Sequence, residues 1–190
     1  MSLLARLFGR SPEPRPLALP YDPMSPEGLV ARWVRWVADS SQRESPIADP
    51  TGEFAGVGQP EDVWFLAGTF GGAVTRRCQV PAGRPIFFPA FNVWQSRVEP
   101  GDVPVMEQAT GHAHLDDEEV PLRPVGTPET FLVRGRLGNP VTGLPPTMRV
   151  SCWGLWGQLA PLAPGRYRLV FGGDDGHGFW VEANYLLVVS

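Results

Sequence analysis

The chain has 190 residues, of which 43% are hydrophobic, 22 are glycine and 22 are proline. A chain of this length can build one domain with a sizeable core, whereas such a density of glycine and proline excludes long helices and favours short strands joined by tight turns. The net charge of −4 argues against nucleic acid as a partner, and no apolar run approaches the roughly 20 residues of a transmembrane helix.

Residues 1–24 are predicted to form a short amphipathic segment followed by a proline-rich linker. The apolar stretch at residues 3–8 is shorter than the core of a signal peptide, it contains Arg6, and no small-residue cleavage site follows it. Two interpretations stay open: a tail that packs on the domain, or a segment that docks on a partner or a membrane surface. Without an export signal, we expect a cytoplasmic protein in which Cys78 and Cys152 are reduced, buried thiols.

One helix is predicted over residues 26–40. Ser25 can cap it, Pro26 suits the first helical position, and Glu27 lies in the first turn, where the helix dipole favours an acid. Apolar residues then recur at helical spacing, while polar residues take the opposite side. This pattern, which includes Trp33 and Trp36, is typical of a helix that lies on a sheet.

After the helix the spacing of the apolar residues changes from a period of 3.6 residues to a period of 2 residues. The segments VWFLA (63–67), AVTRRCQV (73–80) and PIFFPAF (85–91) read as strands, and about six more follow between turns rich in glycine and proline. Such a series predicts a mainly β fold in which an antiparallel β-sandwich or jelly roll carries one N-terminal helix. We expect one sandwich domain over residues 25–190, helix included.

Several distinctive motifs follow one another along the chain. The first half contains WVRW (33–36), SPIADPTG (45–52), VWFLAGTFGG (63–72), RRCQVPAG (76–83) and IFFPAFN (86–92). The second half contains PLAPGRYRLVFGG (161–173) and FWVEANYLLVV (179–189). Together these motifs cover more than half of the chain and resemble a family of uncharacterised, mostly exported bacterial proteins with a β-sandwich-like fold. The resemblance implies the fold but no particular activity.

The chain departs from that family at one informative position. Members of the family often carry a cysteine after the Thr-Gly pair, whereas this chain has Phe54 there. Cys78 would therefore lack its usual partner. The missing cysteine and the missing signal peptide together imply a cytoplasmic branch of the family.

The stretch GHAHLDDEEVPL (111–122) suggests a metal site. His112 and His114 would project to the same side of a strand, and together with Glu119 and Gly126 they imitate the first metal-binding motif of cupins. On this hypothesis the protein is a cupin-like, metal-dependent enzyme that uses His112, His114 and Glu119.

The competing interpretation of the same stretch is a hairpin. Met106 stands where the cupin pattern expects a glycine, and the one remaining histidine, His177, lies in a Gly-Asp loop. The residues Asp116 and Asp117 suit a turn, because aspartate tolerates left-handed backbone conformations. The sequence therefore favours a hairpin over a metal site.

Arg76 is the most informative polar residue, because the alternation places it on the apolar face of its strand. A buried guanidinium must meet a carboxylate, a set of carbonyl groups or a ligand, since burying an unpaired charge costs several kcal/mol or more. Three alternatives stay open: a structural ion pair that ties the Asp49 loop to the sheet, a polar pocket at one end of the sandwich, or a bulge that turns the side chain outward. The candidate partners are Asp49, Gln59 and Glu99, with Asn92 nearby.

No catalytic arrangement emerges from the other motifs. The chain contains no GxSxG nucleophile motif and no phosphate-binding glycine loop. The segment GGDDGHGFW (172–180) predicts a hairpin loop rather than a calcium loop. We therefore predict no catalytic residue, no metal and no cofactor.

The function favoured by the sequence is that of a non-catalytic binding or interaction module. Such a module would recognise a protein partner or a small ligand through loops at one end of the sandwich. The predicted ligand-binding residues are Arg76, Asp49, Gln59, Asn92 and Glu99. The cupin-like enzyme is the alternative.

Overall fold

The secondary structure follows the caps, turns and alternating apolar residues of the sequence. The structure, a computed structural model, describes residues 17–190. In that range it has one α-helix, α1 (Pro26–Ala38), and a 3₁₀ turn (Gln42–Glu44). Its strands are β1 (Trp64–Phe65), β2 (Gly72–Val80), β3 (Ile86–Ser96), β4 (Thr110–Leu115), β5 (Glu118–Glu119), β6 (Leu122–Gly126), β7 (Phe131–Val133), β8 (Met148–Leu159), β9 (Gly165–Asp174) and β10 (Trp180–Val189).

The strands form two sheets, which confirms the mainly β fold with one helix. The middle sheet has the order β1-β3-β8-β6, with β7 also paired to β8, and the outer sheet has the order β2-β10-β9-β4-β5. The sheets are mixed rather than antiparallel, because β1 pairs with β3, and β2 with β10, in parallel. An alternating apolar pattern fixes which face a residue takes but not the direction of the neighbouring strand. The topology does not confirm a jelly roll.

Helix α1 begins as predicted and ends two residues earlier than predicted. The Ser25 hydroxyl accepts a hydrogen bond from the Gly28 N–H at 3.1 Å, and Pro26 takes the first helical position. Trp33 and Trp36 are buried against the middle sheet. The prediction that this apolar side lies on a sheet is confirmed.

The fold has three layers, because the middle sheet is covered on both faces. One core lies between α1 and the middle sheet, and it includes Trp33, Phe87 and Trp156. The other lies between the two sheets, and it includes Phe88 and Phe171. Strand β3 contributes alternate side chains to both cores, which explains its almost continuous run of apolar residues.

The predicted N-terminal linker is partly described. The predicted amphipathic stretch at residues 3–8 lies outside the described residues. In residues 17–24, Leu19 and Tyr21 pack on the core beside the helix. The Arg35 guanidinium donates hydrogen bonds to the carbonyl oxygens of Leu17 and Ala18, so this part of the chain is attached to α1. Across residues 17–190, no helix has the length and apolar character that a membrane crossing requires.

The hairpin predicted in the histidine-rich stretch is confirmed. Strands β4 and β5 pair antiparallel, with His114 opposite Glu119, and Asp116 adopts a left-handed conformation with a φ of 53°. The loop predicted between residues 172 and 180 also joins two antiparallel strands, β9 and β10.

Candidate binding cleft

Arg76 lies in β2 on the face that points to the middle sheet, and its side chain is only 1% exposed. All of its acceptors lie within 2.9 Å; they are the carbonyl oxygens of Asp49, Ile47, Ala67 and Gly68 and the hydroxyl oxygen of Tyr185. No carboxylate in residues 17–190 lies within 4.0 Å of the guanidinium. Arg76 therefore ties the Asp49 loop to the sheet, but through main-chain carbonyl dipoles and not through the predicted ion pair.

The carboxylate of Asp49 is used within its own loop. It accepts hydrogen bonds from the backbone N–H groups of Thr51, Gly52 and Phe54 at 2.8–2.9 Å. Burial raises the pKa of Asp49, but the hydrogen bonds from these donors together lower it by more, so the pKa lies below its ordinary value. The charged carboxylate thus holds the loop in the shape that presents its carbonyl groups to Arg76.

The bonds of Arg76 also explain why β1 is so short. The Leu66 N–H donates to the Phe87 carbonyl at 3.1 Å, and this is the last backbone hydrogen bond between the two segments. Beyond it, the carbonyl groups of Ala67 and Gly68 turn to Arg76 instead of following β3. Strand β3 continues to Ser96, so most of its length has no neighbour on this side among the described residues.

A cleft of about 190 Å³ lies along this unpaired side of β3. Residues 89–94 of β3 line it. The side next to the helix is formed by Trp33, Ile47 and Trp94, the side next to the outer sheet by Phe91, Phe179 and Val181, and one end by Gly68, Thr69 and Phe70. Phe70 and Phe179 are 53% and 46% exposed, so the entrance of the cleft is aromatic and open to solvent.

A β-bulge in β3 creates the two aromatic sides of the cleft. The register with β8 shifts between Pro89 and Phe91, which leaves Ala90 as the extra residue. Before the bulge, odd-numbered side chains such as Phe87 face the helix. After it, Phe91 faces the outer sheet, where its ring contacts Phe179, and Trp94 faces the helix, where it contacts Trp33.

The lining of the cleft suits the binding of an apolar group rather than proton transfer. Among residues 17–190, none of the side chains that line it is ionisable, and Asn92 and Thr69 are its polar members. Arg76 does not line the cleft, but it fixes Ile47 and Gly68, which do. The arrangement can therefore hold an uncharged, mostly apolar group.

Two of the five predicted ligand-binding residues lie elsewhere. The Gln59 amide donates to the Phe65 carbonyl and accepts from the Phe65 N–H, both at 2.8 Å, and so it takes the place of a neighbouring strand for β1. Glu99 lies exposed in a turn, where its carbonyl accepts from the Asp102 N–H. Only Asn92 lines the cleft, while Arg76 and Asp49 meet behind it through the Asp49 main chain.

The aromatic entrance was missed by the sequence-based prediction. Phe70 precedes a glycine in the segment GTFGG (68–72), and Phe179 follows one in GGDDGHGFW (172–180). The first segment contains no phosphate-binding motif and the second predicts a hairpin loop, so neither phenylalanine is among the predicted site residues. A large aromatic residue inside a glycine-rich turn is the signal that was available, because turns rarely bury such a side chain.

The two neighbouring histidines face solvent. His112 and His114 are exposed on the outer face of the outer sheet, with ring centroids 6.3 Å apart. The His112 Nε2 atom lies 3.7 Å from a carboxylate oxygen of Glu182. In the part of the chain that the structure describes, no three His, Cys, Asp or Glu residues are grouped closely enough to hold a metal ion.

Both cysteines are buried and unpaired, as predicted. Burial raises the pKa of Cys78 to about 11 and that of Cys152 to about 12. At neutral pH both are therefore thiols, which are poor nucleophiles.

Comparison of the chain with protein-family models, with curated proteins and with solved structures finds no match. The family resemblance of the motifs thus remains a prediction.

Proposed function

We propose that the protein is a binding module that holds an uncharged, apolar group of a partner or ligand in the cleft beside β3. The observation that carries this proposal is the half-exposed pair Phe70 and Phe179 above an apolar cleft. Exposed apolar side chains around a concave site are typical of interaction surfaces.

The size of the cleft limits what enters it. An apolar cavity of about 150 Å³ is large enough for benzene, so the open cleft of about 190 Å³ has room for at least one aromatic or branched aliphatic side chain. A charged group would lose its hydration there without gaining an ionic partner. The proposal therefore includes selectivity for neutral groups.

The support of the cleft is held together by hydrogen bonds to Arg76, which favours binding. Five acceptors surround the Arg76 guanidinium, so the loops that carry Ile47 and Gly68 are attached to the outer sheet. A site that is already formed loses less conformational entropy when a ligand binds.

The cellular setting is part of the same proposal. We infer a cytoplasmic protein of the family whose motifs it resembles. Cys78 and Cys152 lie in different cores as free thiols, which is compatible with a reducing compartment.

A neutral fluorescent probe tests the proposal. N-phenyl-1-naphthylamine should bind the protein with an increase in fluorescence, and Phe179→Ala should weaken binding about tenfold, which corresponds to about 1.4 kcal/mol of lost contact. The matched control is Trp180→Ala. Trp180 is the next residue and is 51% exposed, but it does not line the cleft, so binding should change less than about twofold.

Two outcomes would overturn the proposal. One is the absence of probe binding by the unaltered protein. The other is an equal loss of binding in the Phe179→Ala and Trp180→Ala variants, because the probe would then bind the exposed aromatic residues and not the cleft.

A further inference from the structure

The unpaired side of β3 carries hydrogen-bonding groups of the main chain. The N–H of Arg97, the residue after the end of β3, donates to the carbonyl of Arg149 in β8 at 2.9 Å, so Arg97 and Arg149 form a hydrogen-bonded pair. In an antiparallel pair such residues alternate with residues whose N–H and C=O point the other way. By the register with β8, Asn92 and Trp94 are residues of the second kind.

Asn92 and Trp94 therefore direct their backbone N–H and C=O groups into the cleft that they line. Among residues 17–190, no hydrogen bond to any of these four groups is made by another backbone or side-chain group. Such a row of donors and acceptors matches the edge of another strand, and a small apolar molecule would leave it unsatisfied.

We infer that the ligand of the cleft is an extended peptide segment of a partner protein, which adds as a short strand to β3 beyond Phe87. This inference rests on the proposed function and names the class of its ligand. Main-chain hydrogen bonds to Asn92 and Trp94 supply affinity, and the two aromatic sides of the cleft select the side chains.

The fold itself keeps this side of β3 unpaired. Arg76 holds the carbonyl groups of Ala67 and Gly68, so β1 cannot continue along β3. Pro89 has no N–H to offer a neighbouring strand, and the bulge at Ala90 follows it. The pairing of β3 thus ends on one side at Phe87 and becomes available again at Asn92.

The layer that the peptide enters determines its composition. The middle sheet is covered by the helix on one face and by the outer sheet on the other. Successive side chains of an added strand therefore meet the Trp33–Trp94 side and the Phe91–Phe179 side in turn. The peptide is apolar at consecutive positions rather than at alternate ones, and it is uncharged, because no lining side chain in the described part of the chain is ionisable.

The test uses the full chain and a library of acetylated, amidated hexapeptides whose four central positions vary among uncharged apolar residues. Fluorescence polarisation identifies the tightest binder, and single N-methylation then scans its backbone. Removal of an N–H that pairs with β3 should weaken binding more than tenfold, whereas removal of one that points away should change binding less than threefold. The two effects should alternate along the peptide.

Amide hydrogen exchange followed by NMR locates the bound peptide. Peptide binding should slow exchange at Asn92 and Trp94 at least tenfold and leave Val93, which already pairs with β8, unchanged. Phe179→Ala should weaken peptide binding, and Trp180→Ala should not.

The outcomes separate this inference from the proposed function. If N-phenyl-1-naphthylamine binds in the cleft but no hexapeptide does, the peptide inference is overturned and the binding function stands. Equal tolerance of N-methylation at every position would also overturn it, because side chains alone would then account for binding. If neither probe nor peptide binds, the proposed function fails as well.

Discussion

The two faces of the outer sheet use charge in opposite ways. The outward face carries His112, His114 and Glu182 together with the acidic turn of the β4–β5 hairpin, and all of these side chains contact solvent. The inward face carries one charge, that of Arg76, which is almost fully buried. The stretch that is richest in ionisable residues thus surrounds no enclosed site, whereas a lone arginine in an ordinary strand shapes the cleft. Whether a charged residue shapes a site therefore depends more on the face of the sheet that carries it than on how many charged residues lie nearby.

The difference has a simple physical origin. A charge in water keeps its hydration, so an exposed ion pair contributes about 0–1 kcal/mol. A buried guanidinium has lost its hydration and depends on every acceptor around it. Substitutions on the inward face should therefore have large effects on stability, and those on the outward face should have small ones.

The largest effect is expected for Arg76→Met. The substitution leaves the carbonyl groups of Asp49, Ile47 and Gly68 without a donor, and it removes one of two donors from the Ala67 carbonyl and from the Tyr185 hydroxyl. The free energy of unfolding should therefore fall by about 3–5 kcal/mol. The matched control is Arg77→Met, because Arg77 is the next residue and its side chain is exposed. Its effect should stay within about 0.5 kcal/mol. Urea unfolding measures both, and equal effects would contradict the buried position of Arg76.

The next largest effect is expected for Asp49→Asn and should depend on pH. The pKa of Asp49 is lower in the folded protein than in the unfolded chain, so its charge stabilises the fold above the ordinary carboxyl pKa and ceases to do so as the pH falls through the folded value. At pH 6 the substitution should cost about 1–3 kcal/mol, because it weakens hydrogen bonds to a charged acceptor.

Urea unfolding at pH 6 and at pH 3 checks this dependence. The difference between the unaltered protein and Asp49→Asn should shrink at the lower pH. Asp117→Asn, in the exposed turn of the hairpin, is the control and should show little difference at either pH. A difference for Asp49→Asn that does not change with pH would contradict the proposed role of the charge.

A smaller effect is expected for Tyr185→Phe. The hydroxyl accepts a hydrogen bond from Arg76 at 2.9 Å and donates one to the Ala67 carbonyl at 2.8 Å. Its removal should lower the free energy of unfolding by about 1–2 kcal/mol. Tyr167→Phe removes a single hydrogen bond, to the Ala163 carbonyl, from a less buried hydroxyl, and it should cost less. A larger loss in Tyr167→Phe would show that Tyr185 does not support the cleft.

Much of the fold could be predicted from the sequence because it depends on local patterns. The cap at Ser25, the apolar side of α1 and the alternation that buries Arg76 are all confirmed. The direction of pairing could not be predicted, because residues on the same face of a strand look alike whether the neighbour runs parallel or antiparallel. The parallel pairs β1–β3 and β2–β10 are therefore findings of the structure.

The cleft was less predictable, because it depends on contacts between distant segments. The position of Asn92 at the end of the IFFPAFN strand predicts a site residue, and Asn92 does line the cleft. The aromatic sides depend on the bulge at Ala90, which reverses the faces of every later residue of β3. The charge of Glu99 suggests a partner for Arg76, but the acceptors of Arg76 are carbonyl groups and a hydroxyl. Carbonyl groups occur at every residue, so the sequence does not indicate which of them bind Arg76.

The smallest effect is expected for the double variant His112→Ala/His114→Ala. Both imidazoles face solvent, and the contact of His112 with Glu182 is 3.7 Å long between two side chains that are each nearly half exposed. The melting temperature should therefore change by less than about 2 °C. His177→Ala, in the loop between β9 and β10, should behave in the same way.

Metal analysis of the purified protein makes this prediction decisive. A cupin-like enzyme would contain stoichiometric zinc, iron or manganese, and it would lose the metal in the double variant but not in His177→Ala. That result would move the chemistry of the protein from the inward face of the outer sheet to its outward face.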